Sequence, residues 1–148
     1  MYVKDHMTKK PVTVTPDTSV STVLDIMQKG HFHRVPVVDE NGVLKGLITE
    51  GVVTEASGQN TTSLSIFELN YLLSRTSVED IMIKNVKTVT EDQFVEQAAQ
   101  VMLDAGINVL PVVDEANKVI GIITEKDIFK TFVDLLGLKH QGTKFVIK

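Results

Sequence analysis

Apolar and polar positions follow the same order twice along the chain. In each copy a short apolar run precedes a segment with apolar residues at helical spacing, and two further apolar runs flank a polar turn. An amphipathic segment then closes the copy. The pattern predicts the order β-α-β-β-α, twice, in a mixed α/β (α+β) fold.

Capping residues indicate where the first helix of each copy should begin. Thr15 is followed by Pro16 at a position typical of a first helical residue, and Thr90 stands three residues before Gln93, as in a capping box. We therefore expect helices directly after short strands at residues 12–14 and 86–89.

Two hairpins should follow these helices. Asn41-Gly42 separates apolar runs at 34–38 and 43–48, and this pair is typical of a type I′ turn, which needs positive φ at both central residues. The second hairpin should turn at residues 116–118 and return along 119–123. Closing helices should open near Thr49 and Thr124, and Gly137 should stop the second one.

A linker and a tail complete the predicted organisation. Ser65 and Glu68 form a capping box for a short linker helix, with Leu69, Leu72 and Leu73 facing inward. Near the end, three apolar residues favour a strand that has just begun. We expect a first repeat at 1–57, a linker at 58–77, a second repeat at 78–137, a tail at 138–148, and the incipient strand at 145–147.

The two copies also correspond residue by residue, at a constant offset of 75 positions without a gap. Of the 46 positions from Asp5 to Glu50, 18 are identical in the second copy. A unit this short rarely buries its apolar face alone. We therefore expect the copies to pack about a pseudo-twofold axis, so that any cleft on that axis occurs twice.

Composition narrows the classes of function. The 148 residues carry a net charge of −4, which disfavours a nucleic acid as the main partner because phosphate contacts need clustered cations. The chain has no cysteine, which excludes disulfides and thiolate sites and suits a reducing compartment. No apolar run approaches the roughly 18 residues that span a membrane. We expect a cytoplasmic protein without a membrane partner.

The shared stretches make one resemblance specific. Residues 36–40 and 111–115 read Pro-Val-Val-Asp-Glu, and residues 46–50 and 121–125 read Gly-Leu/Ile-Ile-Thr-Glu. Together with the predicted elements they resemble a tandem pair of cystathionine-β-synthase (CBS) domains, or Bateman module, over residues 5–136. The linker and the tail further resemble the acetoin-utilisation AcuB type, in which an ACT domain commonly follows the pair.

This resemblance implies a regulatory module rather than an enzyme. Such pairs bind adenosine-containing ligands (AMP, ADP, ATP, sometimes NAD or S-adenosylmethionine) in clefts between the repeats, and they require no cofactor. They also assemble into homodimers through their helices. The resemblance therefore predicts ligand sensing that controls an attached domain or a partner.

The family's ligand motif is Gly-hydrophobic-x-Thr/Ser-x-x-Asp, and the second copy matches it from Gly121 to Asp127. A carboxylate at a helix start can accept both hydroxyls of a ribose, and a threonine hydroxyl there can donate to phosphate. The same spacing also fits a variant capping box, and that interpretation stays open. In the first copy Val52 replaces the aspartate and cannot accept a hydroxyl proton.

The resemblance also implies which residues share a cleft with this motif. Adenine should lie beside Ile122, and the phosphates should lie near His33 and Arg34, whose counterparts are Asn108 and Val109. Cation and carboxylate then converge on one cleft, so we expect one functional site. Its expected residues are Thr8, Val12, His33, Arg34, Ile122, Thr124 and Asp127.

Other interpretations remain open. The clefts could stay empty in a purely structural dimerisation module, or His31 or His33 could serve a nucleotide hydrolase. The same two histidines could bind a metal ion, but the sequence offers no evident third ligand. His6 and His140 are expected to be solvated. No P-loop, G-x-S-x-G or G-x-G-x-x-G motif occurs in the sequence.

Overall fold

A computed structural model describes residues 1–58 and 64–139 of the chain. A single 3-10 turn at Val3–Asp5 precedes the first strand. The elements that follow, in chain order, are β1 (Thr8–Lys9), α1 (Val20–Gly30), β2 (Arg34–Val38), β3 (Leu44–Thr49), α2 (Glu50–Gly58), α3 (Ile66–Arg75), α4 (Val78–Ile81), β4 (Val89–Thr90), α5 (Val95–Ala105), β5 (Val109–Val113), β6 (Val119–Thr124) and α6 (Glu125–Lys139).

The strands form two sheets that correspond to each other under the 75-residue offset. One sheet has the order β1-β6-β5-β4, and the other pairs β2 with β3. Single bridges extend this smaller sheet to Val14 on one side and Ile83 on the other. These residues are the counterparts of Val89 in β4 and Thr8 in β1. The mixed fold class and the doubled unit are thus confirmed.

Each repeat contributes its N-terminal segment to the sheet of the other repeat. Thr8 in β1 pairs with Ile122 in β6, which belongs to the second repeat. In return, Ile83 pairs with Leu47 in β3 of the first repeat. The sheets therefore join the two repeats through backbone hydrogen bonds, in addition to side-chain packing.

The exchanged segments also bring a buried valine into the other repeat's core. Val3 is fully buried in a cluster with Val89, Leu110 and Ile123 of the second repeat. Val78 is equally buried in the core of the first repeat. Each core is completed by a side chain from the other copy, so neither core is complete without the other repeat.

The hairpin tips meet across the pseudo-twofold axis. Leu44 N donates to Asn117 O at 3.0 Å, and Val119 N donates to Gly42 O at 3.1 Å. Gly42 and Asn117 have positive φ values of 84° and 61°, whereas Asn41 does not. The hairpins were predicted correctly, but the type I′ geometry is wrong because only one central residue is left-handed.

Asp39 stabilises the first hairpin turn. Its Oδ1 accepts the backbone N–H groups of Asn41 at 2.9 Å and Val43 at 3.0 Å. The pKa of Asp39 lies below its ordinary value of 3.8, mainly because the hydrogen bond from Val43 stabilises the charged carboxylate. This acidic residue therefore acts as a turn residue, as its position in the sequence predicts.

The first helices begin later than predicted. Helix α1 starts at Val20, and the N-cap is Ser19, whose hydroxyl accepts the N–H of Thr22 at 3.2 Å. The predicted cap, Thr15, instead donates its hydroxyl to Asp17 within a preceding turn. Thr90 and Gln93 likewise pair within a turn before α5, through Thr90 N and Gln93 Oε1 at 2.9 Å. Both polar pairs therefore form, but they do so in turns that delay the helices.

The later helices follow the prediction more closely. Helices α2 and α6 begin directly after Thr49 and Thr124, as expected, but α6 continues through Gly137. A glycine inside a helix costs about 1 kcal/mol, which does not by itself end the helix. Ser65 is the N-cap of α3, as predicted, and its hydroxyl accepts the backbone N–H of Glu68. Leu72 was expected to face inward, but 40% of its surface is exposed. The predicted strand at 145–147 and His140 lie outside the described residues.

Across residues 1–58 and 64–139, no helix is both long enough and apolar enough to cross a membrane.

Candidate ligand-binding cleft

Two clefts lie between the repeats, and they correspond to each other under the offset. The first has a volume of about 480 Å³ and is lined by Thr8 and Ile122, among others. The second has a volume of about 650 Å³ and is lined by the counterparts Ile83 and Leu47. Both volumes suit a nucleotide-sized ligand. The structure thus contains the expected pair of clefts.

The structure brings six of the seven expected site residues together on the first cleft. Asp127 does not line the cleft itself but bonds to a residue that does. The lining residues among the seven are Thr8, Val12, His33, Arg34, Ile122 and Thr124.

The exchange of N-terminal segments places these residues in one cleft. Pairing of Thr8 with Ile122 joins β1 to the strand that ends in Thr124. Arg34 begins β2, directly after the loop that follows α1. Ile122 is buried, with 8% of its surface exposed, so it gives the cleft an apolar floor. A planar adenine could pack on such a floor.

Thr124 and Asp127 form a compact polar pair at the start of α6. Asp127 Oδ2 accepts the backbone N–H of Thr124 at 2.9 Å and its hydroxyl at 3.2 Å. Within the described part of the chain, Oδ1 has no hydrogen-bond partner. The capping interaction that the sequence left open is therefore present, and it uses only one oxygen of the carboxylate.

The first repeat has a different arrangement at the equivalent place. Thr49 Oγ1 accepts the N–H of Val52 at 3.0 Å, which is an ordinary N-cap interaction. Val52 packs against the core of the first repeat. The second cleft therefore receives no carboxylate from this position, as the sequence predicts.

The second cleft also lacks the arginine of the first. Val109, the counterpart of Arg34, is 5% exposed and packs with Leu47 and Ile122 between the repeats. Asn108 and Glu125 line the second cleft nearby. A carboxylate at this position opposes the binding of an anion, so the two clefts differ in charge.

Five residues line the first cleft that are not among the expected site residues: Lys10, Pro11, His31, Phe32 and Lys126. Lys126 lies inside the motif between Thr124 and Asp127, which is a signal that could have identified it. The position of Lys10 depends on β1 joining the other repeat's sheet, and no local pattern predicts that exchange.

His33 has a carboxylate partner at the edge of the cleft. Its Nδ1 pairs with Oε2 of Glu50, the first residue of α2. Both side chains are more than half exposed, so the pair is a weak constraint on the position of the imidazole ring. Among the described residues, no three side chains of the metal-ligating types cluster as a metal site requires.

His6 is only partly solvated, because it also has a hydrogen-bond partner within the protein, and this corrects the prediction in part. It is half-buried, and its Nδ1 lies 3.1 Å from Oγ1 of the buried Thr131. Thr131 donates its hydroxyl proton to the backbone oxygen of Asp127 at 2.8 Å, so the histidine nitrogen is the donor to Thr131. This chain of bonds connects the N-terminal segment to the turn of α6 that carries Asp127.

Residues 3–57 and 78–134 match the family model of the CBS domain. Together these segments cover most of the chain. The protein therefore belongs to the CBS-domain family and contains a tandem pair of CBS domains.

Curated relatives are mostly longer proteins. L-aspartate semialdehyde sulfurtransferase of Methanocaldococcus jannaschii is 34% identical over 130 residues, which are 88% of this chain but 23% of that protein. Homoserine O-acetyltransferase of Methanococcoides burtonii is 34% identical over 126 residues, again 23% of its length. The chain thus spans about a quarter of these relatives.

Solved structures with the same fold include proteins bound to adenosine compounds. The CBS domain pair of protein MJ0100, in complex with 5-methylthioadenosine and S-adenosyl-L-methionine, is 33% identical, with a TM-score of 0.76 over 89% of this chain and 99% of that one. CBSX2 in complex with AMP is 29% identical, with a TM-score of 0.75 over 91% and 98%. A putative acetoin utilization protein (AcuB) from Vibrio cholerae, 24% identical over 97% and 98%, shares the fold with a TM-score of 0.77.

Proposed function

We propose that this CBS pair is a regulatory module that senses an adenosine-containing ligand in the first cleft. The main support for the proposal is that Arg34 and Thr124 line the same cleft between the repeats. Asp127 adds a carboxylate there, because it bonds to Thr124. Solved relatives of 29–33% identity hold AMP, 5-methylthioadenosine or S-adenosyl-L-methionine. Their ligands support the adenosine class for this chain.

Each residue has a distinct role in this proposal. The free oxygen of Asp127 accepts ribose hydroxyls, and Thr124 lies at the N-terminus of α6, where the helix dipole favours a phosphate. Arg34 pairs with the phosphate through its planar guanidinium group. Ile122, Thr8 and Val12 form the walls beside the base and the sugar. His33 approaches the phosphates from the rim.

Ligand binding would act through the connection between the repeats. The cleft is built from β1 and β6, which belong to different repeats and share backbone hydrogen bonds. A ligand that contacts both repeats can favour one relative placement of the repeats over another. The size of this shift is limited by the difference in the ligand's affinity for the two placements. That change would reach an attached domain or a partner protein. No residue is assigned a catalytic role.

We also propose that two copies pair through the α5–α6 face of the second repeat. Leu103, Phe129, Phe132 and Val133 are 76%, 65%, 58% and 64% exposed in the described part of the chain. Their counterparts in the first repeat, residues 28, 54, 57 and 58, are Gln, Thr, Ser and Gly. A twofold dimer that places α6 against its own copy would bury this apolar face on both chains.

Thermal melting tests the sensing function against a purely structural one. A ligand bound only by the folded chain must raise the melting midpoint in proportion to its occupancy. We expect at least one of AMP, ATP, NAD or S-adenosylmethionine to raise it in a concentration-dependent way. A dimerisation module with empty clefts would show no shift with any of them. Turnover of ATP that is lost in His33→Ala would instead support a hydrolase.

A further inference from the structure

We propose that the first cleft selects an adenosine that carries a di- or triphosphate chain over AMP and over S-adenosylmethionine. This inference rests on the proposed function, since it concerns the ligand class of the same cleft. It is drawn from the charges that line the cleft, which exceed what a single phosphate can neutralise.

Cationic side chains dominate the lining of the first cleft. Lys10, Arg34 and Lys126 all line it, together with His31 and His33. No aspartate or glutamate lines it, although Asp127 bonds to the lining residue Thr124 and Glu50 pairs with His33 at its edge. In residues 1–58 and 64–139, none of the three permanent cations forms an ion pair with a carboxylate. Their charges are therefore available to a ligand.

The second cleft provides an internal comparison. It has one lysine, Lys87, and one carboxylate, Glu125, so its formal charges cancel. The counterparts of Lys10, Arg34 and Lys126 are Asn85, Val109 and Gly51. Both clefts derive from the same repeated unit, yet all three cations occur only on the first. The positive charge is therefore a property of that site rather than of the repeat.

The backbone at Lys10 supports the same conclusion. Lys10 has a φ of 48°, in the left-handed region, and its counterpart Asn85 has a φ of 57°. Asparagine adopts this conformation more readily than lysine does. The first cleft thus has a lysine at a position whose backbone geometry favours glycine, asparagine or aspartate, and strained residues of this kind cluster at functional sites.

The charge of the ligand decides between the candidates. Each phosphate added to adenosine brings another negative charge towards Lys10, Arg34 and Lys126. S-adenosylmethionine carries a sulfonium cation, an ammonium group and one carboxylate, so its net charge is positive and these side chains disfavour it relative to a phosphate chain. Since exposed ion pairs contribute modestly, each lysine should add about two- to fivefold to affinity. Together they should favour ATP over AMP by about tenfold.

Calorimetric titration of the full chain tests this preference, with adenosine, AMP, ADP, ATP and S-adenosylmethionine in the absence of Mg²⁺. We expect affinity to rise from adenosine to ATP, and the preference for ATP to shrink as salt concentration rises. AMP binding as tightly as ATP, or S-adenosylmethionine binding more tightly, would overturn the preference while leaving the sensing function intact. If neither these five compounds nor NAD binds, the proposed function itself fails.

Variants that remove the lysine charges test whether Lys10 and Lys126 cause the preference for ATP over AMP. Lys10→Asn introduces the residue that the second repeat has at this position, and Lys126→Gln keeps a similar length, so neither should disturb folding. The double variant should lose about tenfold in ATP affinity and much less in AMP affinity. Lys87→Gln, in the second cleft, is the matched control and should change neither. An equal loss for AMP and ATP would show that the lysines do not contact the added phosphates.

Discussion

Asp127 binds Thr124 through one carboxylate oxygen and leaves the other without a partner in the described part of the chain. The same carboxylate thus caps α6 and offers an acceptor to a ligand. Its counterpart Val52 packs into the core and can do neither through its side chain. Of these two equivalent positions, only Asp127 therefore has a carboxylate that can both cap its helix and bind a ligand.

Asp127→Ala should weaken binding of an adenosine ligand by roughly 10- to 100-fold, because a hydrogen bond to a charged group contributes about 1.5–3 kcal/mol. Val52→Ala should change affinity by less than about twofold, since no ligand contact is lost. Calorimetric titration measures both. Loss of the cap also destabilises α6, so Asp127→Asn, which keeps an oxygen acceptor, is the control. Equal losses for Asp127→Ala and Val52→Ala would contradict the assignment.

Arg34→Met should remove phosphate recognition while keeping the length of the side chain. We expect AMP and ATP to lose about tenfold or more in affinity, and adenosine to lose little, because the guanidinium group has no phosphate to bind in adenosine. Fluorescence competition with the three ligands gives the comparison. Parallel losses for all three would mean that Arg34 only shapes the cleft.

Val78→Ala should destabilise the protein by roughly 2 kcal/mol, because Val78 is fully buried in the first repeat's core. Val3→Ala should have a similar effect through the second core. Since the two segments are exchanged, both variants should lower the midpoint of one shared urea transition. Ile66→Ala, at a position 69% exposed, is the control. Two separate transitions, each shifted by only one variant, would show that the repeats fold independently.

Phe129→Asp combined with Phe132→Asp should convert a dimer into a monomer. These side chains are 65% and 58% exposed, and a charge on each would be buried without a partner in the proposed interface. Light scattering after size exclusion gives the mass. Thr54→Asp, at the position equivalent to Phe129, should leave the dimer intact. A monomeric unmodified chain, or a dimer that survives both aspartates, would exclude this face.

Asp39→Asn should reveal a pH-dependent contribution of the first hairpin turn. The folded state lowers the pKa of Asp39 below 3.8, mainly through the hydrogen bond from Val43. Its contribution to stability is therefore fully present above that ordinary value, and it is lost as pH falls through the lower folded value. Melting curves should show the unmodified chain more stable than the variant near neutral pH, with the difference disappearing in acid. A difference that grows in acid would contradict this.

Local sequence signals predicted the two hairpins well but not the other strands. The strand expected at 12–14 is reduced to a single bridge at Val14, the strand expected at 86–89 begins only at Val89, and β1 at Thr8–Lys9 was not expected. The run Arg34–Val38 is a strand with the predicted bounds, and helices begin directly after Thr49 and Thr124. Helix starts at Thr15 and Thr90 were wrong because both residues bond within turns. The Thr15 hydroxyl donates to Asp17, and the backbone N–H of Thr90 donates to Gln93 Oε1, and both interactions produce the same short-range pattern as a cap. A polar pair three residues apart does not distinguish a turn from a helix.

The exchange of N-terminal segments lay beyond local reasoning. Whether β1 joins its own repeat or the other is decided by packing over long distances in the sequence, and both choices leave the apolar pattern unchanged. His6 was therefore expected to be solvated, although it bonds to Thr131, and Lys10 was not among the expected site residues, although it lines the first cleft. The resemblance to a known family supplied the facing residues that periodicity could not.

A crystal structure of the protein, determined from crystals grown with excess ATP or AMP, tests most directly whether only the first cleft binds a nucleotide. We expect one nucleotide per chain, with its phosphates at Arg34 and its ribose at Asp127, and no nucleotide in the cleft lined by Val109. Nucleotide density only in the cleft beside Val109, or equal density in both clefts, would contradict this.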